Sequence, residues 1–437
     1  MLNQTRENIG FARIPLKWHE EASSQVKQKL VAKIGFFFLC CFVFTIPWEN
    51  VVVLPGIGTI SHLVGYLAFG MGVLGVIDNG RLQAGSTVQS LILLFATWRT
   101  ITYFWSPAPD ITLIEVQTTL QIVAMVWLLR QLAPTQELQI RIMQAYVSGT
   151  LVSSLDTIWQ YLSGATPRAY LRYVAPGFDP NELALMMALS IPLSLYLGVL
   201  SQRRPVVWLY RVHLALATAA ILLTASRGAF VASLAAMLFI PATFKHWTDR
   251  QKSVFIVVVM LAAWLAMWLV PASSWKRLGT IQSEVAHGTL NDRSVIWKGG
   301  LEIFREHPVL GVGAGAFSTV VRHTIGTAYV AHNTFLSITV EQGLAGLGIF
   351  LALLITVTFY CFGMPDLERK LWLTMLLTLV IGILSLTWEF RKPMWLIFAL
   401  ISMQAMVFKM QKLSERSKAD RLQVRALPYR PVIISRS

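Results

Sequence analysis

The 437-residue chain is too apolar and too poor in charge for a water-soluble protein. Hydrophobic residues make up 55% of it and charged residues only 14%, yet the formal net charge is +15. Because soluble domains carry about 25% charged residues, this composition indicates an integral membrane protein.

Apolar runs that could cross a membrane recur along most of the chain. An α-helix needs ~20 apolar residues to span a bilayer. About twelve stretches approach that length, at 34–47, 60–77, 87–105, 111–129, 138–162, 182–200, 206–224, 228–244, 253–271, 333–361, 371–388 and 394–408. We therefore predict an all-α, polytopic membrane protein of about 12 transmembrane helices, with one large outer loop that contains amphipathic helices.

Basic residues are concentrated in alternate connecting segments. With the N-terminus inside, the inner segments and the tail hold most of the 37 lysines and arginines. The positive-inside rule then predicts both termini in the cytoplasm, and the tail would contact anionic lipids rather than nucleic acid. The predicted divisions are a cytoplasmic segment 1–33, helices one to nine at 34–271, an outer loop 272–332, helices ten to twelve at 333–409, and a basic cytoplasmic tail 410–437.

Other cations fall on the outer side, where topology gives no reason for them. They are Arg168, Arg172, Arg227, Lys276, Arg277, Arg293, Lys298, Arg305, Arg322, Arg391 and Lys392. They suggest an external anionic ligand, and in a membrane enzyme the obvious anion is a lipid phosphate or diphosphate. A solvated surface accounts for Lys276, Arg277 and Arg322. Arg227 lies at a tight turn between two apolar runs, where an unpaired guanidinium is costly, so a functional role is favoured.

The loop from Pro271 to Ala331 ends at a histidine. His332, followed by Asn333, lies where the polar loop enters an apolar helix. An imidazole with an ordinary pKa of ~6.5 can take a proton from a hydroxyl near neutral pH. The alternative role for His332 is a helix cap or a hydrogen-bonded anchor.

Two outer segments predict local structure near these residues. Asp179 to Glu182 has the pattern of a helix start, with Asp as N-cap and Pro at the first helical position. Its N-terminus adds partial positive charge beside Arg168 and Arg172. Residues 291–306 predict an amphipathic helix at the membrane interface.

The segment after that helix is rich in glycine. Pro308 ends the predicted helix, and Gly311, Gly313 and Gly315 predict a flexible link toward His332. Neither His-Glu-x-x-His nor Asp-x-Asp occurs among the outer residues, so we expect no metal or other cofactor.

Two ionisable residues lie inside predicted spans. Arg99 is in the third span, where it could serve the same ligand or extend its guanidinium to the interface. Glu341 follows His332 by nine residues, a separation of ~13 Å along a continuous helix. We therefore expect Glu341 to pair with another span rather than to orient the imidazole.

Three segments resemble the O-antigen ligase and O-antigen polymerase superfamily. They are LLTASRG at Leu222–Gly228, DRSVIWKGGLEIFREHPVLGVGAGAF at Asp292–Phe317 and HNTFLSITVEQGLAGLG at His332–Gly348, in the order typical of that family. The Asp-Pro-Asn-Glu stretch before the sixth span also looks like the family. The likeness covers residues 170–360, and its third segment is the most specific.

The resemblance implies a GT-C type glycosyltransferase of the bacterial inner membrane, with its active site on the periplasmic face. Such enzymes move a glycan from undecaprenyl diphosphate to an acceptor hydroxyl, without a metal. The resemblance implies that His332 acts on the acceptor and that Arg227 and Arg293 hold the diphosphate, with Arg172 in support. The weaker site candidates are Asn181, Arg168, Arg99, Asn333 and Glu341.

Three functions stay open at this point. A ligase, which uses a lipid A–core sugar as acceptor, is preferred. A polymerase, which joins lipid-linked repeats, shares the same motifs. A transporter of lipid-linked glycans would also suit twelve spans and outer cations. Against transport, the polar residues gather on one outer face and no internal repeat is visible. With a base on one side of the sugar and the leaving group on the other, transfer would invert the anomeric centre.

Overall fold

The computed structural model describes residues 29–56, 58–167, 172–286 and 293–426, most of which are helical. Two-residue strands β1 (Val53–Leu54) and β2 (Gly58–Thr59) form a small antiparallel hairpin, and 3₁₀ turns lie at Ile46–Trp48 and Thr102–Trp105. The α-helices of the described part are α1 (Leu30–Thr45), α2 (Ile60–Asn79), α3 (Thr87–Ile101), α4 (Pro109–Leu132), α5 (Gln136–Leu162), α6 (Pro180–Leu200), α7 (Arg204–Thr224), α8 (Arg227–Met237), α9 (Ile240–Phe244), α10 (Asp249–Leu269), α11 (Ala272–Gly279), α12 (Ile281–Ala286), α13 (Arg293–Glu306), α14 (Phe317–Ile325), α15 (Thr334–Phe362), α16 (Asp366–Ile383) and α17 (Lys392–Ala426).

The predicted all-α, polytopic architecture is confirmed. Within the described residues, eight helical segments are long and apolar enough to cross a membrane: Leu30–Trp48, Ile60–Asn79, Pro109–Leu132, Pro180–Leu200, Arg204–Thr224, Arg227–Phe244, Thr334–Phe362 and Lys392–Ser417. The other four predicted spans coincide with α3, α5, α10 and α16. Twelve spans therefore stay a prediction, although every predicted apolar run falls on a helix. Helix α17 continues past the predicted start of the tail at residue 410.

Helix α6 lies in the interior of the bundle and begins as the sequence predicts. The Asp179 carboxylate caps it, accepting hydrogen bonds from the backbone N–H groups of Asn181 (2.8 Å) and Glu182 (3.2 Å). Side chains around its whole circumference are buried, and it packs against α5, α7, α8 and α16. A helix that is apolar on every face belongs in such a core, and its capped end fixes the position of the loop before it.

Helix α15 is interrupted at Gly343, where φ is 65° and ψ is −168°. The segment Pro308–Gly313 lies against the break. Groups from that segment and one indole replace the helical hydrogen bonds that are lost. The bonds run from Leu344 N to Pro308 O (2.8 Å), Ala345 N to Val309 O (3.3 Å), Val312 N to Val340 O (3.0 Å), Gly313 N to Glu341 O (2.8 Å) and Trp98 Nε1 to Gln342 O (3.0 Å). Irregular backbone is tolerated inside a membrane bundle when protein groups satisfy it in this way.

The glycine-rich segment is packed in place, so the predicted flexible link is wrong. Gly311, Gly313 and Gly315 have φ values of 70°, 112° and 76°. A Cβ on Gly311 would lie 2.4 Å from the carbonyl carbon of Glu341, and one on Gly313 would lie 2.6 Å from Cβ of Ser106. Glycine is needed here because the backbone both adopts a left-handed conformation and passes too close to its neighbours for a side chain.

Helices α13 and α14 form a second, smaller apolar core with the start of α15. Its buried members are Ile296, Ile303, Val312, Ala316, Phe317, Val321, Ala331 and Val340. Helix α13 is amphipathic as predicted, but its apolar face at Ile296 and Ile303 packs on protein rather than on the membrane interface. Val295 and Leu301 remain exposed. The sequence could not reveal this because the contact between α14 and that face is a tertiary one, which the pattern of either helix alone does not specify.

The helix break should be intolerant of a side chain. We expect Gly343→Ala to destabilise the protein by about 3 kcal/mol or more, because alanine is strained at this φ and its Cβ would lie 2.1 Å from the Val309 carbonyl oxygen. Gly348→Ala is the matched control, since a Cβ there meets nothing within 4 Å. Thermal unfolding in detergent, followed by tryptophan fluorescence, should show a lower midpoint for Gly343→Ala alone. Equal midpoints for the two variants would contradict the strained break.

Candidate active site

Arg227 lies at a sharp turn between two helices. Helix α7 ends at Thr224, and Ala225 then adopts a left-handed conformation with φ 47° and ψ 33°. The Ser226 side chain caps α8 by accepting a hydrogen bond from the backbone N–H of Ala229. A left-handed alanine is costly, so packing and capping must hold this turn. The turn places Arg227 as the first residue of α8.

The short helices α11 and α12 lie over the Arg227 side chain. Its Nη1 donates to Thr280 Oγ1 at 3.1 Å and lies 3.3 Å from Glu284 Oε1. The Arg227 side chain is 16% exposed. An anionic ligand that binds this guanidinium therefore competes with the Glu284 carboxylate.

Arg172 and Asn181 brace the same turn from the other side. The Arg172 guanidinium donates from Nε to Thr224 O and from Nη2 to Asn181 Oδ1, both at 2.7 Å. Ser226 Oγ also donates to Asn181 Oδ1 at 2.8 Å. The loop before α6 and the turn before α8 are thus joined by side-chain hydrogen bonds.

The pKa of Arg172 reflects the other cations around it. Burial, together with the charges of Arg277, Arg293 and Arg227, lowers the pKa of Arg172 to about 10, while Asp179 acts in the opposite sense. Like charges disfavour the charged form of a group. Four guanidiniums therefore share one end of the bundle, with Asp179 as a partial counter-charge.

Arg293 begins helix α13 and faces this cluster. Burial lowers its pKa, and the charges of Arg227 and Arg277 add to that effect. Among the residues that the structure describes, no side chain or backbone group forms a hydrogen bond or ion pair with the Arg293 guanidinium. A half-buried cation without such a partner is suited to bind an anionic ligand.

Arg277 also belongs to the cluster, so its assignment to a solvated surface is wrong. Its Nε donates to Ala225 O at 3.1 Å. Helix α11 folds back onto the end of α7 because Leu278 packs with Leu222 and Val270 in a small apolar cluster. The local sequence gives no signal of this contact. By contrast, Lys276 and Arg322 are exposed as expected.

His332 adopts a left-handed conformation with φ 47°, which is strained for a residue other than glycine. Its neighbours hold it there. Trp297 Nε1 donates to Ala331 O at 3.0 Å, and the Asn333 side chain caps α15 by accepting from Leu336 N at 3.0 Å. Asn333 is therefore the cap of this helix, and the alternative that His332 is the cap is excluded.

The environment of His332 favours its neutral form. Burial lowers the pKa of the imidazole, the charge of Arg293 lowers it further, and Asp179 opposes them. The imidazole thus lies in electrostatic range of the cation cluster. Near neutral pH it is unprotonated and can accept a proton.

Arg99 and Glu341 lie elsewhere, in a buried polar cluster inside the bundle. The Arg99 Nη2 donates to Glu115 Oε2 at 2.8 Å. Glu341 accepts hydrogen bonds from the backbone N–H groups of Gly315 (2.8 Å) and Phe317 (3.3 Å). Neither side chain joins the His332 cluster by contact, and Arg168 lies outside the described residues.

Two other cations that the sequence predicted on the outer side neutralise acids of the protein. Arg391 forms a two-pronged ion pair with Glu182, with Nη2 2.6 Å from Oε2 and 2.8 Å from Oε1. Lys392 pairs with Glu49. The sequence suggested that these cations serve an external ligand, but each has an internal partner far away in the chain. These ion pairs join the start of α17 to the start of α6 and to the end of the 3₁₀ turn Ile46–Trp48.

Comparison with known proteins gives a match in the central part of the chain. Residues 212–351 match the family model described as O-antigen ligase. This range contains Arg227, Arg277, Arg293 and His332, while Arg172 precedes it. No curated protein matches the chain significantly.

The proximity of Arg293 to His332 can be tested by titration. We expect the His332 imidazole to titrate below its ordinary ~6.5, and Arg293→Gln should raise its pKa because a nearby cation is removed. Arg305→Gln, on the exposed face of the same helix, should leave the pKa unchanged. Histidine-selective NMR in nanodiscs would measure the pKa of His332 in wild type, Arg293→Gln and Arg305→Gln. A pKa that is the same in wild type and Arg293→Gln would place Arg293 away from the imidazole.

Proposed function

The chain belongs to the O-antigen ligase superfamily, and we propose that it is a metal-independent glycosyltransferase of the bacterial inner membrane. It would move a glycan from undecaprenyl diphosphate to a hydroxyl of lipid A–core on the periplasmic face. The observation that carries this proposal is the cluster of four guanidiniums beside an imidazole whose pKa is lowered by burial and by Arg293. Such a cluster suits a diphosphate leaving group, and such an imidazole suits an acceptor hydroxyl.

The cations would act on the leaving group. As the bond between the anomeric carbon and the bridging phosphate oxygen breaks, its electron pair passes to the diphosphate. Arg227 and Arg293 stabilise that charge, and Arg172 and Arg277 support them. A guanidinium can bind phosphate oxygens through two parallel hydrogen bonds. The N-terminus of α8, from which Arg227 extends, adds further positive potential.

His332 would act on the acceptor. The acceptor hydroxyl attacks the anomeric carbon and gives its proton to the imidazole, which becomes imidazolium. Burial and the Arg293 charge keep the imidazole neutral beforehand. With the base on one side of the sugar and the diphosphate on the other, the new bond forms with inversion. The donor is already activated, so no nucleotide is consumed.

Polymerase activity is the alternative within the same superfamily. Both reactions need the same leaving-group site and the same base, and they differ only in the acceptor. Supplying lipid A–core in one assay and lipid-linked repeats in another therefore distinguishes them. Transport of the lipid-linked glycan would require neither a base nor an acceptor.

The first functional prediction is transfer by the purified protein in excess EDTA, without nucleotide or a membrane gradient. Wild type should convert lipid A–core and an undecaprenyl diphosphate-linked glycan to product, detected by gel mobility. His332→Ala should reduce the rate by roughly 100-fold or more, because general base catalysis contributes about that much.

His323→Ala is the matched control, since His323 is on the neighbouring α14 and has no assigned role. It should retain the wild-type rate. Two outcomes count against the proposal. A folded His332→Ala protein with normal activity removes the base, and activity that is lost in EDTA and restored by Mg²⁺ or Mn²⁺ removes the arginine-based mechanism.

A second prediction concerns the arginines. Arg227→Ala and Arg293→Ala should each cost ~2–4 kcal/mol of transition-state stabilisation, the range for a preorganised donor at a developing charge. Lysine at either position should restore little, because a point charge cannot reproduce two parallel hydrogen bonds. Lys298→Ala, on the exposed face of α13, is the control. Steady-state kcat/KM for the donor is the measurement, and full restoration by lysine at both positions would indicate only a general positive patch.

A further inference from the structure

A buried polar cluster lies within the bundle, away from the arginines of the active site. Arg99 is 1% exposed and pairs with Glu115. Its Nε and Nη1 atoms are buried without a hydrogen-bond partner among the described residues. Glu341 and Glu389 lie within electrostatic range of Arg99. Ionisable groups inside a membrane bundle cost free energy and are usually retained for a function. The proposed reaction chemistry does not assign a function to this cluster.

Within this cluster, Glu341 is the residue that accepts hydrogen bonds from the glycine-rich segment and the start of α14. Both of its carboxyl oxygens accept hydrogen bonds, Oε2 from Gly315 N and Oε1 from Phe317 N. Its own carbonyl accepts from Gly313 N at 2.8 Å. Glu341 lies two residues before Gly343, where α15 is broken. It therefore holds the segment 311–317 both by its backbone and by its side chain.

The segment 311–317 is connected to the proposed active site through helices α14 and α13. Phe317, whose N–H binds Glu341, begins α14 and packs on α13, where a Cβ on Gly300 would lie 3.0 Å from its ring. Helix α13 carries Arg293 at its start. Trp297 of the same helix donates to the carbonyl oxygen of Ala331, next to His332. A shift of the segment would thus be passed through α14 and α13 to both active-site residues.

We propose that Glu341 is a positioning residue for glycosyl transfer, holding the segment 311–317 in the break of α15 so that α13 sets Arg293 against His332. This inference rests on the proposed function. A carboxyl group is suited to the task because its two oxygens accept from two N–H donors. Glutamine offers one oxygen and turns an NH₂ group toward the other donor. Arg99, held by Glu115, supports the carboxyl from inside the bundle.

The test uses the full-length Glu341→Gln variant, which has nearly the same shape as wild type. Hydrogen–deuterium exchange should become faster in peptides that cover residues 311–317. The kcat of transfer should fall roughly 10- to 100-fold, the scale expected when reacting groups are displaced by about 1 Å. Glu306→Gln, an exposed glutamate on α13, is the matched control and should change neither quantity.

A pH profile separates positioning from a general loss of structure. The wild-type rate should fall with decreasing pH only below ~6.5, since burial and Arg293 lower the pKa of His332 while Asp179 opposes them. In Glu341→Gln the imidazole would be less buried and farther from Arg293. Its pKa should rise, so the rate should begin to fall at a higher pH than in wild type.

Gly315→Ala provides a second, independent displacement of the segment. Its Cβ would lie 2.7 Å from Cγ of Glu115, so it moves the segment without removing an acid, and it should shift the pH profile in the same direction. Unchanged kcat and pH profile in Glu341→Gln would overturn the positioning role, as would a lower kcat with an unshifted profile. Wild type that transfers no glycan would instead refute the proposed function, and the exchange experiment would then decide whether Glu341 holds the segment.

Discussion

The break in helix α15 is the constraint on which the arrangement of the site depends. A backbone N–H or C=O without a partner costs several kcal/mol in a low-dielectric interior, so the interruption at Gly343 requires groups that replace the lost bonds. The segment Pro308–Gly313 supplies most of them. The reverse is also true, because that segment has its own polar groups to satisfy. Each piece of irregular backbone is therefore stable only in the presence of the other, and together they fix where α13 and α14 lie relative to His332.

The positive charges at the site destabilise this arrangement. Arg172, Arg227, Arg277 and Arg293 repel one another, and burial adds to the cost, as the lowered pKa values of Arg172 and Arg293 indicate. Asp179 and Glu284 offset part of the repulsion. Residues in unfavourable environments are typical of functional sites, where binding or catalysis requires an arrangement that lowers the stability of the fold. The left-handed conformations of His332 and Ala225 fit the same interpretation.

Much of the fold could be predicted because membrane spans and caps are local signals. Apolar runs of the right length gave the helices, and Asp179 to Glu182 gave the start of α6. The sequence did not predict the break at Gly343, since EQGLAGLG is compatible with a continuous helix of small residues. Nor did it predict the ion pair of Glu182 with Arg391, which joins residues 209 positions apart. Both depend on long-range packing that local pattern cannot show.

The candidate site was predictable to a similar extent. Arg227, Arg293 and His332 stood out because each is an ionisable residue at the edge of an apolar or amphipathic segment, and the structure brings all three to one end of the bundle. Arg277 was missed because its position depends on the fold of α11 over the turn at Ala225. Glu341 was expected to pair with another span. The direct hydrogen-bond partners of its side chain are instead the backbone N–H groups of Gly315 and Phe317. These partners are available because the segment 311–317 packs against the broken helix.

The arginines are attached to two apolar cores that share helix α15, and this bears on how a ligand would act. Arg172 and Arg227 are fixed to the main core through α6, α7 and α8, whereas Arg293 and His332 are attached to the smaller core of α13, α14 and α15. Without an anion, repulsion between Arg227 and Arg293 acts to separate the two cores. A diphosphate bound between them would replace that repulsion with attraction on both sides. In the proposed reaction, the same ligand would thereby bring His332, the proposed base, toward the sugar that the diphosphate carries, so that donor binding itself would help to assemble the catalytic geometry.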